Sequence, residues 1–181
     1  MSKTELKYVI FQTAWGFFGL LADGKGLLRV TLPMSDFKTA KRYLLVGTFS
    51  KTKQDLNLCP ALQKSVTAYY KDSYVNFYKL KLALNWENLT DFYKKVLNVC
   101  IKIPLGQTIT YSELAKRAGF PKAARAVGSV LAKNPLPLII PCHRVIRSDG
   151  KIGNFSAAGG SKTKKKMLEH EKIIAAKTPG H

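Results

Sequence analysis

Hydrophobic positions in the first third of the chain come in short, strand-length runs. Leu6 to Gln12 is apolar and partly β-branched, Trp15 to Ala22 follows after a turn, and Leu27 to Leu32 returns beyond Asp23-Gly24-Lys25-Gly26. Those four residues are a hairpin signal, and Pro33 ends the meander. The period then changes. From Asp36 to Val46 and from Asn57 to Lys71 apolar residues recur at helical spacing. The pattern predicts an α/β domain over residues 1–85, a small antiparallel sheet with helices. Its aromatics Phe11, Trp15, Phe17 and Phe18 read as core.

Residues 86–181 predict a mostly α-helical domain. Thr90 can cap a helix that runs to about Cys100, with Phe92, Val96, Val99 and Cys100 on one face, and Ile103-Pro104-Leu105-Gly106 ends it. Tyr111 to Gly128 then reads as a helix-turn-helix. Ser112 suits a cap, Gly119 a left-handed turn residue and Pro121 the first turn of a second helix. Leu114, Ala118, Ala124, Val127 and Val130 form the apolar seam. The second helix carries Ala123, Ala124, Ala126, Gly128 and Ser129, with Arg125 as the one long side chain in its middle. Such a face offers few groups for base-edge hydrogen bonds and suits close, sequence-independent approach to a nucleic-acid backbone. Lys162 to Lys166 is the only charge run, expected to begin the last helix as a solvated or phosphate-facing flank.

Charge narrows the partners. Thirty Lys and Arg stand against eleven Asp and Glu, a formal charge of +19 over 181 residues. That balance points to a polyanion, nucleic acid first and an anionic membrane surface second. No apolar run approaches a transmembrane span, and Met1 to Glu5 lacks a signal-peptide core, so a cytoplasmic protein is expected. The cysteines are Cys59, Cys100 and Cys142, an odd and widely spaced set that builds no disulfide framework. With His143, His170 and His181 they give no zinc-finger spacing, so no metal and no cofactor are expected.

Chemistry concentrates after Leu136 to Ile140, a run apolar enough to be buried, which Pro141 stops. Cys142 and His143 follow where the chain leaves the core. Thiolate is the reactive form of cysteine, and His143, Arg144 and Arg147 all lie within five residues of Cys142. A buried structural cysteine beside a surface histidine is the plainer alternative for such a pair taken alone.

Pro141-Cys142-His143-Arg144-Val145, preceded by Asn134-Pro135-Leu136-Pro137 and followed by Gly153-Asn154-Phe155-Ser156, closely resembles the O6-alkylguanine-DNA alkyltransferases. The likeness runs from about Leu89 to Glu171. It implies a ribonuclease-H-like first domain and a DNA-binding, alkyl-transferring second one, acting as a monomer on double-stranded DNA that holds O6-alkylguanine. Cys142 would take the alkyl group irreversibly, once per molecule, with His143 as base through a water and Glu171 orienting the imidazole. Asn134 would fix the turn, and Tyr111 would assist the leaving guanine at N3 and help rotate the phosphate. Arg125 would intercalate where the nucleotide flips out, on a helix whose Ala123, Ala124 and Ser129 approach the DNA. Val145, Phe155, Ser156 and Ala157 would form the pocket, the Ser156 N–H facing O6 and the Val145 carbonyl the 2-amino group. Taken singly, Tyr111 also reads as core, Asn134 as a turn residue and Glu171 as a solvated charge.

Three departures matter. Phe155 stands where relatives have tyrosine, Ala157-Ala158 where they have two glycines, and Leu97 where tryptophan is common. No Cys or His precedes Cys59, so the structural zinc of some relatives should be absent. The alternatives are a non-catalytic alkylguanine binder, a helix-turn-helix regulator and a thiol hydrolase. The first lacks the acceptor cysteine that is present here, the second wants a polar recognition helix, and the third wants an oxyanion-hole motif.

Overall fold

The structure, a computed structural model, describes residues 5–178. The readings that rest on Met1 to Thr4 and on His181 lie outside the described residues. The chain divides into two compact units, 1–87 and 88–181.

The first unit is built on strands β1 (Leu6–Thr13), β2 (Gly16–Asp23) and β3 (Gly26–Met34), antiparallel neighbours, with β4 (Thr52–Gln54) on the other edge in the order β3-β2-β1-β4. The sheet is mixed, because β4 runs parallel to β1. Lys51-Thr52-Lys53-Gln54 carries no apolar alternation, so the pattern gives no sign of this strand. Pro33 does not end β3. It sits near the end of an edge strand, where a missing N–H breaks no ladder.

Helix α1 (Phe37–Leu45) is capped by Asp36, whose carboxylate accepts from the Thr39 N–H at 2.8 Å. It lays Ala40 and Leu44 against Tyr8, Ile10 and Leu21. Successive strand residues point to opposite faces, and on the other face the Phe18 ring lies 6.3 Å from Tyr70, just past helix α2 (Pro60–Tyr69).

The second unit is mostly helical: α3 (Asp91–Cys100), α4 (Tyr111–Arg117), α5 (Ala124–Ala132) and α6 (Gly160–Lys177). Thr90 caps α3 as expected. The cap of α4 is Thr110 rather than Ser112. The Thr110 hydroxyl accepts from the Glu113 N–H at 3.1 Å, while Ser112 is already inside the helix. Gly119 takes the left-handed conformation (φ 89°), and the Phe120 N–H returns to the Ala115 carbonyl at 2.8 Å, the Schellman closure. Pro121 lies in the turn, outside α5, which starts at Ala124 without a side-chain cap. Leu114, Ala118, Val127 and Val130 are buried along the seam and Ala124 is half-buried.

Two short strands that the pattern does not reveal fix the site. β5 (Ile109–Thr110) pairs in parallel with β6 (Val145–Ile146), Ile109 opposite Val145 and Thr110 opposite Ile146. This ladder ties the start of α4, with Tyr111, to the segment that follows Cys142.

Candidate active site

Leu136, Leu138, Ile139 and Ile140 are buried, yet they form turns and not a strand. The Ile140 N–H folds back to the Leu136 carbonyl at 2.8 Å, and Leu138 holds a positive φ of 75° that an L side chain rarely adopts. Asn134 fastens this loop. Its side-chain oxygen accepts from the Leu136 N–H at 3.0 Å, and its amide donates to the Ile140 carbonyl at 2.8 Å and to Cys142 Sγ at 3.1 Å. The sequence reading made Asn134 a turn residue. The structure adds a direct hydrogen bond to the sulfur.

Cys142 opens a 3-10 turn (Cys142–Arg144) and is 4% exposed, on the wall of a cavity of about 510 Å³. Tyr111, Arg125 and Ser129 line it on the helical side, and Arg147, Gly153, Phe155 and Ser156 on the loop side. Gly153 is in the left-handed region (φ 75°), and a Cβ there would meet Arg147 Cγ at 3.3 Å and Tyr111 Oη at 3.6 Å. The cavity thus gathers Cys142, Tyr111, Arg125, Ser129, Phe155 and Ser156 from the expected site. Ala123, Ala124 and Ala157 are not in its wall. Val145 is fully buried beside it, its carbonyl accepting from Lys164 Nζ at 2.6 Å.

Behind the thiol lies a closed network of charge. His143 Nε2 is 2.8 Å from Glu171 Oε1. Arg144 donates to the same carboxylate twice, Nε to Oε2 at 2.9 Å and Nη2 to Oε1 at 2.8 Å, and also to the Ile103 carbonyl. The Gly106 N–H adds a contact to Oε2 at 3.4 Å. Desolvation opposes the Glu171 charge, but His143 and Arg144 beside it win and hold the carboxyl well below the usual range. Burial pushes the His143 imidazole down, against the pull of Glu171. A neutral imidazole facing an acceptor-only carboxylate carries its proton on Nε2. That leaves Nδ1 as a buried acceptor with no hydrogen-bond partner among the described residues.

The two arginines that follow Cys142 in sequence are both paired with carboxylates. Arg144 is committed to Glu171, and Arg147 pairs with Asp149 at 3.0 Å. Burial pushes the Cys142 thiol up, opposed first by the Asn134 hydrogen bond and then by Lys164.

Lys164 is the residue sequence reasoning missed. It is wholly buried, not a solvated flank, and its Nζ lies 5.7 Å from the Tyr111 ring centroid as well as on the Val145 carbonyl. A signal existed: Lys164, Met167, Glu171 and Ile174 share one stripe of α6, and all are buried. Within the Lys162 to Lys166 run the stripe, and not the charge, decided which lysine turned inward. Among the described residues no helix is long and apolar enough to cross a membrane.

Residues 91–173 match the model of the 6-O-methylguanine DNA methyltransferase DNA-binding domain. A methylated-DNA–protein-cysteine methyltransferase of Methanosarcina acetivorans is 34% identical over 164 residues, covering 91% of this chain and 97% of that protein. Its counterpart in Methanothermobacter thermautotrophicus is 48% identical over 90 residues, half of this chain and 49% of that one. The matched stretch is therefore about half the length of that relative, and 39% of the rat protein at 52% identity. Among solved structures, the Mycobacterium tuberculosis O6-methylguanine methyltransferase superposes with a TM-score of 0.72 at 26% identity, over 97% of this chain and 96% of the other. A structure of the same enzyme in complex with DNA gives 0.71 at 26% identity, covering 94% of each chain. The mixed α/β architecture, the loop that presents Cys142 and these likenesses lead to one conclusion: the chain belongs to the methylated-DNA–protein-cysteine methyltransferase family.

Proposed function

We propose that this protein repairs O6-alkylguanine in double-stranded DNA by moving the alkyl group to Cys142, once per molecule. The observation that carries the reading is the thiol on a cavity wall with Tyr111, Arg125 and Ser156, backed by the His143–Glu171 pair. The target atom is out of reach inside a duplex, so the nucleotide is extruded into the cavity. Cys142 Sγ forms a bond to the alkyl carbon as the bond from that carbon to O6 breaks. The thiol proton passes through one water to His143 Nδ1, the free acceptor that Glu171 creates by holding Nε2–H. Tyr111 supplies a hydrogen bond to N3 of the departing guanine, and the Ser156 N–H faces O6. The Val145 carbonyl, already bonded to Lys164, has a second lone pair for the 2-amino group. Phe155 walls the pocket, and the Ala157 methyl narrows the loop beside it. No cofactor or metal enters the chemistry.

In this reading α4 and α5 are a helix-turn-helix, with Ala123 at the N-cap of α5 and Ala124, Ser129 and the exposed Arg125 on it presented to the DNA. The turn closed by Gly119 and the cavity position of Arg125 support it. We assign DNA binding and alkyl transfer to the second unit, and a ribonuclease-H-like frame to the first, on the strength of its β3-β2-β1-β4 order with a parallel β1–β4 pair. The protein acts in the cytoplasm as a monomer. The test is to incubate the full chain with O6-methylguanine DNA and weigh it. One methyl per chain, on the peptide that holds Cys142, is expected. Label elsewhere, or turnover beyond one equivalent, sinks the reading. Binding to DNA should weaken with salt at a log–log slope of about −4 for about four neutralised phosphates.

A further inference from the structure

Lys164 poses a physical question that the alkyl-transfer scheme leaves open. A buried ammonium is costly unless an anion or several acceptors compensate it. Lys164 donates to one neutral carbonyl and lies over one ring, and no carboxylate pairs with it among the described residues. The buried carboxylate on its own helix, Glu171, is bound by His143 and Arg144. The other cations near the thiol differ. Arg144 is neutralised by Glu171, Arg147 is exposed and tied to Asp149, and Arg125 is exposed. The remaining ionisable groups around it are Tyr111 on α4 and Cys100 on α3, both pushed up first by burial, as Cys142 itself is.

Of the two thiols near this cation, Cys142 lies on the cavity wall, where an electrophile can reach it, and Cys100 is sealed in the core. Lys164 bridges the Val145 carbonyl, three residues past Cys142, and the Tyr111 ring, which shares the cavity wall with Cys142. We propose that Lys164 is a positioning residue for the acceptor, a resident cation whose counter-ion is the Cys142 thiolate formed when the thiol loses its proton. The cation and the thiol each move the other's ionisation toward the charged form, while burial holds the ammonium down to about 8. The pair is silent at rest and becomes an ion pair only during reaction, so the attraction lowers the barrier without stabilising the resting thiol.

The role rests on Cys142 being the acceptor, but its test does not require DNA. Iodoacetamide labels Cys142 through the thiolate. The S–H bond gives its proton to solvent, an S–C bond forms, the C–I bond breaks and iodide leaves. The rate at Cys142, read by peptide mass across pH in the full chain, reports ionisation. Lys164→Met and Lys164→Gln should both slow labelling about tenfold near neutral pH and recover it as pH rises, whereas Lys164→Arg should keep most of the wild-type rate. Gln keeps an N–H donor for Val145. If Lys164 only ties that carbonyl, the Gln variant will show the wild-type pH profile, and the proposal is overturned. Slowing that persists at every pH in a folded variant overturns it too, since that reports lost access. Methyl transfer from O6-methylguanine DNA should follow the same order, Arg above Gln and Met. A wild-type chain that transfers no methyl, yet shows the labelling shift, would remove the proposed function and leave this inference standing.

Discussion

In the first unit the buried polar side chains among the described residues are uncharged, Thr13, Thr31 and the tyrosines Tyr8, Tyr69 and Tyr70, whereas the second unit buries His143, Arg144, Lys164, His170 and Glu171. Both units carry exposed ion pairs, Arg117–Glu113 and Arg147–Asp149 among those of the second, but the buried Arg–Glu pair is in the second. Lys7–Asp55 and Lys25–Glu87 lie at the surface of the first unit, while Arg144–Glu171 in the second is shut off from solvent. Net charge follows: residues 88–181 hold seventeen of the thirty Lys and Arg against five carboxylates. A sheet packed by helices needs only apolar faces to hold together, and the first unit spends no buried charge to do so. Replacing buried ion pairs with apolar side chains is often neutral or stabilising. Their concentration around Cys142 therefore speaks for chemistry more than for folding.

The sharpest way to break this comparison is to change the thiols of both units. Cys142→Ser should abolish methyl acceptance while leaving DNA affinity within about twofold, because the serine oxygen is too poor a nucleophile without a far stronger base. Cys59→Ser in the first unit and Cys100→Ser in the second should each still take up one methyl, read by intact mass. Methyl uptake by Cys142→Ser would move the acceptor elsewhere and dissolve the contrast.

Next in size is the carboxylate at the centre of the buried network. Glu171→Gln removes the charge that compensates Arg144 and turns one of the two acceptor oxygens into an NH2 donor facing other donors, so it should destabilise the protein by about 3–5 kcal/mol in urea unfolding. Asp55→Asn, which breaks an exposed pair, should leave the midpoint nearly unchanged. Acid should expose the same difference. Glu171 is held below its ordinary value, so its stabilisation is complete above about pH 4.5 and is lost as pH falls toward the lower folded value. His143 is also lowered, so the folded state disfavours its proton, and stability should begin to fall as pH drops below about 6.5. Both signs agree: the second unit should lose structure first on acidification, which hydrogen exchange resolved along the chain can follow. Simultaneous loss in both units would erase the comparison.

The sequence told unequally about the two regions. β1 to β3, α1 and α3 were legible because their apolar periodicity and caps are local, as Thr90 and the Asp23 to Gly26 turn show. What it hid was long-range. β4 carries no apolar pattern and exists because β1 offers an edge. β5 and β6 are two residues each and are defined only by one another. In the site, the motif order pointed to Cys142, His143, Glu171 and Asn134, yet it could not show that Arg144 bonds to Glu171 and not to the thiol. Burial decides such matters: Lys164 reads as one cation in a run of four until the stripe with Met167 and Glu171 is drawn.

The smallest expected effect tests the exposed side of the second unit. Arg125 lies on α5 at the cavity rim, the one long side chain amid Ala123, Ala124, Ala126, Val127 and Gly128, so it can enter a base stack without neighbours obstructing it. Extruding a nucleotide costs a few kcal/mol, and a side chain that fills the gap recovers part of it. Arg125→Ala should slow methyl transfer from duplex DNA somewhat over tenfold, since about 1.4 kcal/mol corresponds to that factor. The free base O6-benzylguanine needs no extrusion, and its reaction with Cys142 should change far less. If Arg125 only meets a phosphate, lysine will replace it almost fully and the duplex defect will vanish at low salt. Equal slowing on duplex and free base would place the fault in the fold around Cys142, and the exposed face would then matter no more to the chemistry than the surface pairs of the first unit.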